Sequence, residues 1–396
     1  MGASNVSIVG AGVGQTVLRV SPSMPFDAND PILVAANGIY PSPPVSLENI
    51  TISDITVDGN QRTVRKDRPY PNDTHGNGIN LNRCHACKVL RTEVRDVVYQ
   101  GIVHTGDLED TTGGGEVAFN TIDGFGEIGV GIENHSLAWR VHDNVVRNDR
   151  VLIPEFRSES PNDSAVGILV GCVGCVGARM SKNVIESNRI ESVRLAGASG
   201  NIGIKLDEFS DGTIVNRNTI IHSDICIRVS GARSSSLPSN VAITENHCED
   251  SANPGAAAID IAGWGSDVLA DYVISGNTIE RSGGSGIVLN NVTRTLVTSN
   301  VLTEVGLSNK AAPAIGLFTG AGVYVKDLVI QENKIQCSYG PAIHIDSDRI
   351  VETSVLRNQW MSLGASVIQD SGNRSHLGDN VVLGIRCDPA SPSPKE

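Results

Sequence analysis

Seven polar side chains in the middle third of the sequence have the types that proton transfer and anion stabilisation require: Glu133, His135, Lys205, Asp207, Glu208, Arg228 and Asp260. Carboxylates and an imidazole donate or accept protons, and a pair of carboxylates supplies the acid and base of many hydrolytic reactions. Lys205 and Arg228 can hold an anion or stabilise negative charge as it develops. Glu133, His135, Lys205, Asp207, Arg228 and Asp260 are therefore the candidate catalytic residues, and Glu208 a candidate substrate contact. They lie far apart along the chain, so their chemistry depends on the element that gathers them.

That element is a repeat. A small residue followed by Ile, any residue and an apolar one heads successive units at Ile79, Ile102, Ile132, Ile168, Ile204, Ile227, Ile259, Ile287, Ile315, Ile343 and Ile368, at irregular spacings of 23 to 36 residues. A second motif, Asn-x-Ile/Val/Leu, recurs inside most units, at Asn120, Asn144, Asn188, Asn218, Asn277, Asn300 and Asn333. Each unit holds strands of about four residues between Gly, Asn and Ser turns, too short to bury a core alone, so the units must stack. The expected fold is all-β, a parallel β-solenoid of roughly 11 or more coils, held by ladders of Ile, Val and Leu and by stacked Asn side chains at the turns. It should span residues 1–385, and the Pro/Ser-rich tail 386–396 should be disordered. The longest coils place loops at 60–77, 106–115, 149–165 and 192–201, where function would gather.

Composition narrows the partners. The 396 residues carry 31 basic against 44 acidic side chains, a net charge of −13 that argues against nucleic-acid binding driven by overall charge. No apolar run approaches the roughly 18 residues of a membrane span, and no secretory signal is visible at the N-terminus.

Side chains alternate across a strand, so each head Ile faces inward and the next residue outward. The first outward row reads Asn80, Val103, Glu133, Leu169, Lys205, Arg228, Asp260, Val288, Gly316, His344 and Gln369. The second reads Asn82, Thr105, His135, Gly171, Asp207, Ser230, Ala262, Asn290, Phe318 and Asp346. Charge gathers over five central coils, about 20 Å. Lys205 and Arg228 fall on adjacent coils, roughly 5 Å apart at the backbone, an unfavourable like-charge pair unless an anion sits between them. Glu133 to Asp207 and Asp207 to Asp260 each skip a coil, about 9 to 10 Å, near the separation of an inverting carboxylate pair. A solvated salt-bridge ladder would use the same residues.

The stretch Asn5-Val6-Ser7-Ile8-Val9-Gly10-Ala11-Gly12-Val13-Gly14-Gln15-Thr16-Val17-Leu18 resembles an early coil of right-handed parallel β-helix proteins of the pectate-lyase type, and the repeat extends that resemblance over residues 5–385. The resemblance implies a right-handed helix, a polysaccharide or oligosaccharide partner, an extracellular or periplasmic location, and an N-terminal cap that this chain is expected to lack. Within that group, Lys205 and Arg228 are similar to the lysine and arginine of chondroitinase-B-like lyases, which implies a uronate substrate with Lys205 as base and Arg228 stabilising the enolate-like state. The carboxylates that hold calcium before that lysine are absent from Ala198-Ser199-Gly200-Asn201-Ile202-Gly203. The polygalacturonase signatures and the Asp-Pro-His of alginate epimerases are absent too. The leading expectation is β-elimination or epimerisation at a uronate. Hydrolysis or fructan-type transfer by paired carboxylates is one alternative, and a non-catalytic, tailspike-like glycan binder, possible as a homotrimer, is the other.

Three further groups bear on this reading. Trp264 and Phe318 are scarce aromatics beside the face and candidate stacking platforms for sugar rings. Arg65, Lys66 and Arg68 form the one basic cluster, a candidate contact for an acidic glycan. Asp107, Glu109 and Asp110 are the candidate ligands for calcium, the only cofactor indicated. Cys84-His85-Ala86-Cys87 and Cys172-Val173-Gly174-Cys175 have the spacing of zinc half-sites, but about three coils separate them, so the cysteines are expected to be buried small hydrophobes.

Overall fold

The computed structural model describes residues 4–383 apart from 22–33, 37–45, 61–75, 98, 107–111, 149–164, 172–179, 194–199, 209, 232–236, 264 and 363–366. The tail 386–396, the calcium candidates Asp107, Glu109 and Asp110, the basic cluster Arg65, Lys66 and Arg68, and Trp264 lie outside the described residues. At least half of each of the four long loops does so too.

The chain winds as a right-handed parallel β-helix. Each full coil crosses three parallel sheets in turn: a first of 13 strands beginning at Ser7–Val9, a second of 13 beginning at Val17–Arg19, and a third of 12 beginning at Val34–Ala36. No helix occurs among the described residues, and so none long and apolar enough to cross a membrane. In the C-terminal half the repeat heads stack in register, Ile204 on Ile227, then Ile259, Ile287, Ile315, Ile343 and Ile368.

The requirement for a small residue before each head has a steric cause. A Cβ on Gly101 would come within 2.6 Å of Ile122 Cγ2, and one on Gly203 within 2.5 Å of Ile220 Cγ2, because the strand enters the third sheet against the apolar residues of the second. Larger residues enter this column only where the opposing side chain shrinks. Cys226 follows Gly203 in register, and it meets Cys248 where the previous coil has Ile220.

Between the first and second sheets the chain turns through one left-handed residue followed by a buried Asn. Arg217-Asn218, Glu245-Asn246, Ser299-Asn300 and Glu332-Asn333 all have this form. The Asn side chains form a continuous ladder, each Nδ2 donating to the Oδ1 of the next coil at 2.9 to 3.1 Å from Asn120 through Asn144, Asn188, Asn218, Asn246, Asn277, Asn300, Asn333 and Asn358 to Asn380. Each Nδ2 also donates to a strand carbonyl, as Asn246 does to Val215, and each Oδ1 also accepts the backbone N–H of the preceding Asn. The amide carries two N–H donors and a carbonyl acceptor, so one neutral side chain can make all of these bonds. Asn246 escaped the sequence motif because Cys248 stands where the motif has an aliphatic residue.

Two cysteine expectations are corrected. Cys84 and Cys87 are joined in a disulfide, and Cys337 is disulfide-bonded. The short turn between Cys84 and Cys87 brings their Cα atoms to 5.7 Å, within bonding range, so this pair is neither a zinc half-site nor a pair of free thiols. Cys226 and Cys248 are free and buried, as expected. A separate ion-pair ladder, of residues not singled out in the sequence, runs along the second sheet: buried Asp58 lies between Arg19 and Arg95 at 2.8 and 3.0 Å, and buried Asp123 pairs with Arg147 at 3.0 Å.

Replacing Asn246 by Leu should strand the Asn218 amide and the Val215 carbonyl, destabilising the fold by on the order of 3 kcal/mol. Guanidinium denaturation of the variant checks this; an unchanged midpoint would show that the ladder contributes nothing at that rung.

Candidate active site

The outward side of the third sheet carries the candidate residues, but its register differs from the sequence reading. Ile102 pairs with Val130, not with Ile132. Glu133 therefore belongs to the second outward row, beside Thr105 and Gly171, and Gly131 takes its place in the first, beside Val103 and Leu169. The strand Ile128–Glu133 is longer than the head motif suggested, which moved the assignment by one full alternation. His135 accordingly lies beyond the strand, in a turn where it and Asn134 both have left-handed backbones, and it is buried.

Glu208 is corrected as well: at 1% exposure it is enclosed in the turn after the strand Ile202–Leu206. At the N-terminal end of the face, outward Asn80, Val103 and Leu169 are also buried. The accessible face is thus shorter than the outward rows.

Lys205, Arg228 and Asp260 do stand side by side in the first row. The anion that the two cations require is supplied by the chain itself. Lys205 Nζ lies 2.6 Å from Asp207 Oδ2, and Arg228 Nε lies 3.7 Å from Asp260 Oδ2. Asp207 Oδ1 accepts a hydrogen bond from Ser230 Oγ at 2.6 Å. Its position depends on Gly171, since a Cβ there would come within 2.4 Å of Asp207 Cβ. Asp207 is almost wholly buried, whereas the side chains of Lys205 and Arg228 remain 24% and 37% exposed.

Glu133 is the most perturbed carboxyl of the group. Its side chain folds back over Gly131, where a Cβ would meet Oε1 at 2.9 Å, and Oε1 accepts a hydrogen bond from Gln100 Nε2 at 2.8 Å. Desolvation raises its pKa to about 7; the Gln100 hydrogen bond opposes the shift and the charge of Glu127 adds to it. Burial likewise raises Asp260, with Arg228 opposing. Burial thus raises both of the carboxyls that flank the Lys205–Asp207 pair, which lies two coils from each.

Gln100 and Ser230 were not among the candidates; alternation places Ser230 on the outward side but would turn Gln100 inward, whereas its side chain reaches Glu133 on the outer face. Gln100 sits at the start of its strand, Gln100–Thr105, two residues before the head. His104 was not singled out either. It points inward, 2.7 Å from Ser136 Oγ through Nδ1 and stacked at 4.1 Å on Trp139, and burial holds its pKa down to about 3, so it is a neutral core residue. Phe318 ends the strand Ile315–Phe318 and stacks on His344 at 5.6 Å, so it stands on the face as expected. Among the described residues no three His, Cys, Asp or Glu side chains are grouped to hold a metal ion.

No family model and no curated protein matches this sequence. Solved structures share its fold at low identity. The A-module of mannuronan C-5 epimerase AlgE6 from Azotobacter vinelandii aligns with a TM-score of 0.56 and 13% identity over 97% of this chain and 85% of the module. An alginate lyase from Paenibacillus aligns with a TM-score of 0.53 and 12% identity over 82% of this chain and 99% of the lyase. A tailspike protein of Escherichia coli bacteriophage HK620 aligns with a TM-score of 0.50 and 13% identity over 84% and 67%.

The raised pKa of Glu133 has a stability consequence. Between its ordinary value of 4.5 and about 7 the folded protein binds a proton that the unfolded chain has lost, so this residue's contribution to stability declines as pH rises through that window. Glu133→Gln removes the effect. Denaturant midpoints of the variant and parent, compared at pH 5 and pH 8, should shift in the variant's favour at the higher pH; parallel behaviour at both would refute the assignment.

Proposed function

We propose that this chain is a glycan hydrolase with its reactive centre on the third sheet and Glu133 as general acid. The observation that carries this reading is a partly buried carboxyl that keeps its proton near neutrality, on the same face as an ordered carboxylate two coils away. Glu133 would protonate the departing glycosidic oxygen. Asp207 would direct water from the other side. Two strand spacings, about 9.6 Å, lie at the upper end of the inverting range and well beyond a retaining pair.

Lys205 and Arg228 indicate an acidic sugar, and Lys205 explains how a buried carboxylate comes to act as base. The ammonium that covers Asp207 Oδ2 is itself partly exposed. A substrate carboxylate that drew Lys205 away would free Oδ2 for water, so the base would be uncovered only when an acidic sugar is bound. The fold is compatible with this, because the solved structures that share it include proteins described as an epimerase, an alginate lyase and a tailspike.

β-Elimination is the second reading, favoured by the in-register Lys205 and Arg228. It ranks lower because Lys205 Nζ is held 2.6 Å from Asp207 Oδ2, an ion pair that would have to break before Lys205 could reach a substrate proton.

The test is incubation of the protein with alginate, pectate, glycosaminoglycans and other acidic glycans, following reducing ends and ultraviolet absorbance together. Hydrolysis gives reducing ends without absorbance, and activity should fall as pH rises through about 7 with ionisation of Glu133. Glu133→Gln should lower the rate by about 100-fold or more. Absorbance from an unsaturated product, retained in Glu133→Gln and lost in Lys205→Ala, would replace hydrolysis by elimination; binding without products would leave a glycan-binding protein.

A further inference from the structure

Beyond Arg228 the face opens into a cleft of about 330 Å³ between the turn segments 254–257 and 309–313. This is the small end of the range for ligand sites, about 300 to 1,000 Å³, and suits a single sugar residue. Its walls are held together: Asn309 Nδ2 donates to the Pro254 carbonyl at 3.2 Å, and Asn309 N donates to the Gly283 carbonyl at 3.0 Å. The floor continues the first outward row from Asp260 to Val288. Phe318 closes the far end, its ring lying over Gly316, where a Cβ would come within 2.5 Å of Cε2.

The chemistry of the lining is uneven. Pro254, Ala256, Val288, Pro313 and Phe318 are apolar, Ser285 and Asn309 are polar, and among them stands the carboxyl of Asp260, 15% exposed and too far from Arg228, at 3.7 Å, for a normal hydrogen bond. A sugar ring bearing only hydroxyls would leave some of them unpaired against the apolar walls, an unfavourable desolvation. An acetamido group meets both sides: its methyl can pack on Val288 and Pro313 while its amide bonds to the Asp260 carboxyl.

We infer that this cleft is a subsite for an N-acetylated sugar residue, with Asp260 reading the amide and the wall of Val288, Pro313 and Phe318 reading the methyl. It rests on the reading that the face binds a glycan, and it adds that the glycan carries acetamido sugars, one coil beyond the cationic pair. The Asp260 carboxyl can accept a hydrogen bond from the amide N–H of such a group.

Saturation-transfer NMR on the full chain tests this without requiring turnover. The probes are the methyl glycosides of N-acetylglucosamine, glucosamine, glucose and fucose, the last carrying a methyl without an amide. The expected result is transfer strongest at the acetyl methyl, with the other three weaker by about tenfold or more in affinity. Asp260→Asn, which keeps a donor and an acceptor, should retain the preference. Asp260→Leu and Val288→Asp should abolish it, with unchanged melting temperatures confirming the fold. Equal binding of all four sugars, preference for fucose, or no binding of any would overturn the inference. Glu133→Gln should still show the preference, so loss of hydrolysis with retained acetamido binding would reject the proposed reaction and keep the subsite. Hydrolysis of acidic glycans without acetamido preference would do the reverse.

Discussion

No single coil of this chain can satisfy its own backbone. Its strands are two to seven residues long, and their N–H and C=O groups point along the helix axis to the coils before and after. Parallel pairing between coils is therefore the interaction on which everything else depends. It fixes a rise of about 4.8 Å per coil, brings equivalent positions into contact, and makes any residue type repeated at the same position into a continuous column.

Columns are favourable for some side chains and unfavourable for others. Aliphatic columns close the interior, and the Asn column joins donor to acceptor through ten successive turns. Charged columns must alternate. On the second sheet they do from Arg19 to Arg147, with Arg and Asp exchanged from coil to coil, and where Glu249 meets Glu280 Arg281 compensates. On the third sheet Lys205 and Arg228 are adjacent and like, and the chain compensates by placing Asp207 and Asp260 within reach of them. At the candidate site this exception falls in coils where glycines leave room for carboxyls to fold back.

Loss of side chains matters as much as their presence. Gly131 admits the Glu133 carboxyl, Gly171 admits Asp207, and Gly316 admits the Phe318 ring. Each lets a neighbour on the same face lean across a missing Cβ, so the carboxyls sit lower and closer to protein atoms than a regular strand would hold them. Desolvation follows, and with it the shift that leaves Glu133 a candidate acid.

The repeat, the parallel stack, the Asn ladder and the central concentration of charge were legible because each is a periodic or compositional property, and periodicity survives when the partner of a residue is unknown. Lys205, Arg228 and Asp260 were correctly aligned for the same reason. Glu133 and His135 were misplaced because a slip of two residues preserves alternation, so pattern alone cannot detect it; only the pairing of Ile102 with Val130 does. Glu208 was grouped with the surface charges by residue type, although alternation continued from Ile204 would have turned it inward, where it is buried. The rung at Asn246, the Gln100 contact and the cleft beside Asp260 depend on which residues meet between coils. The sequence by itself determined that this chain must stack and which faces of its strands look outward, since both follow from local spacing. The tertiary structure decided which outward side chains touch, which carboxyls lose water and where a ligand could enter, because those depend on register and burial across residues far apart in the chain.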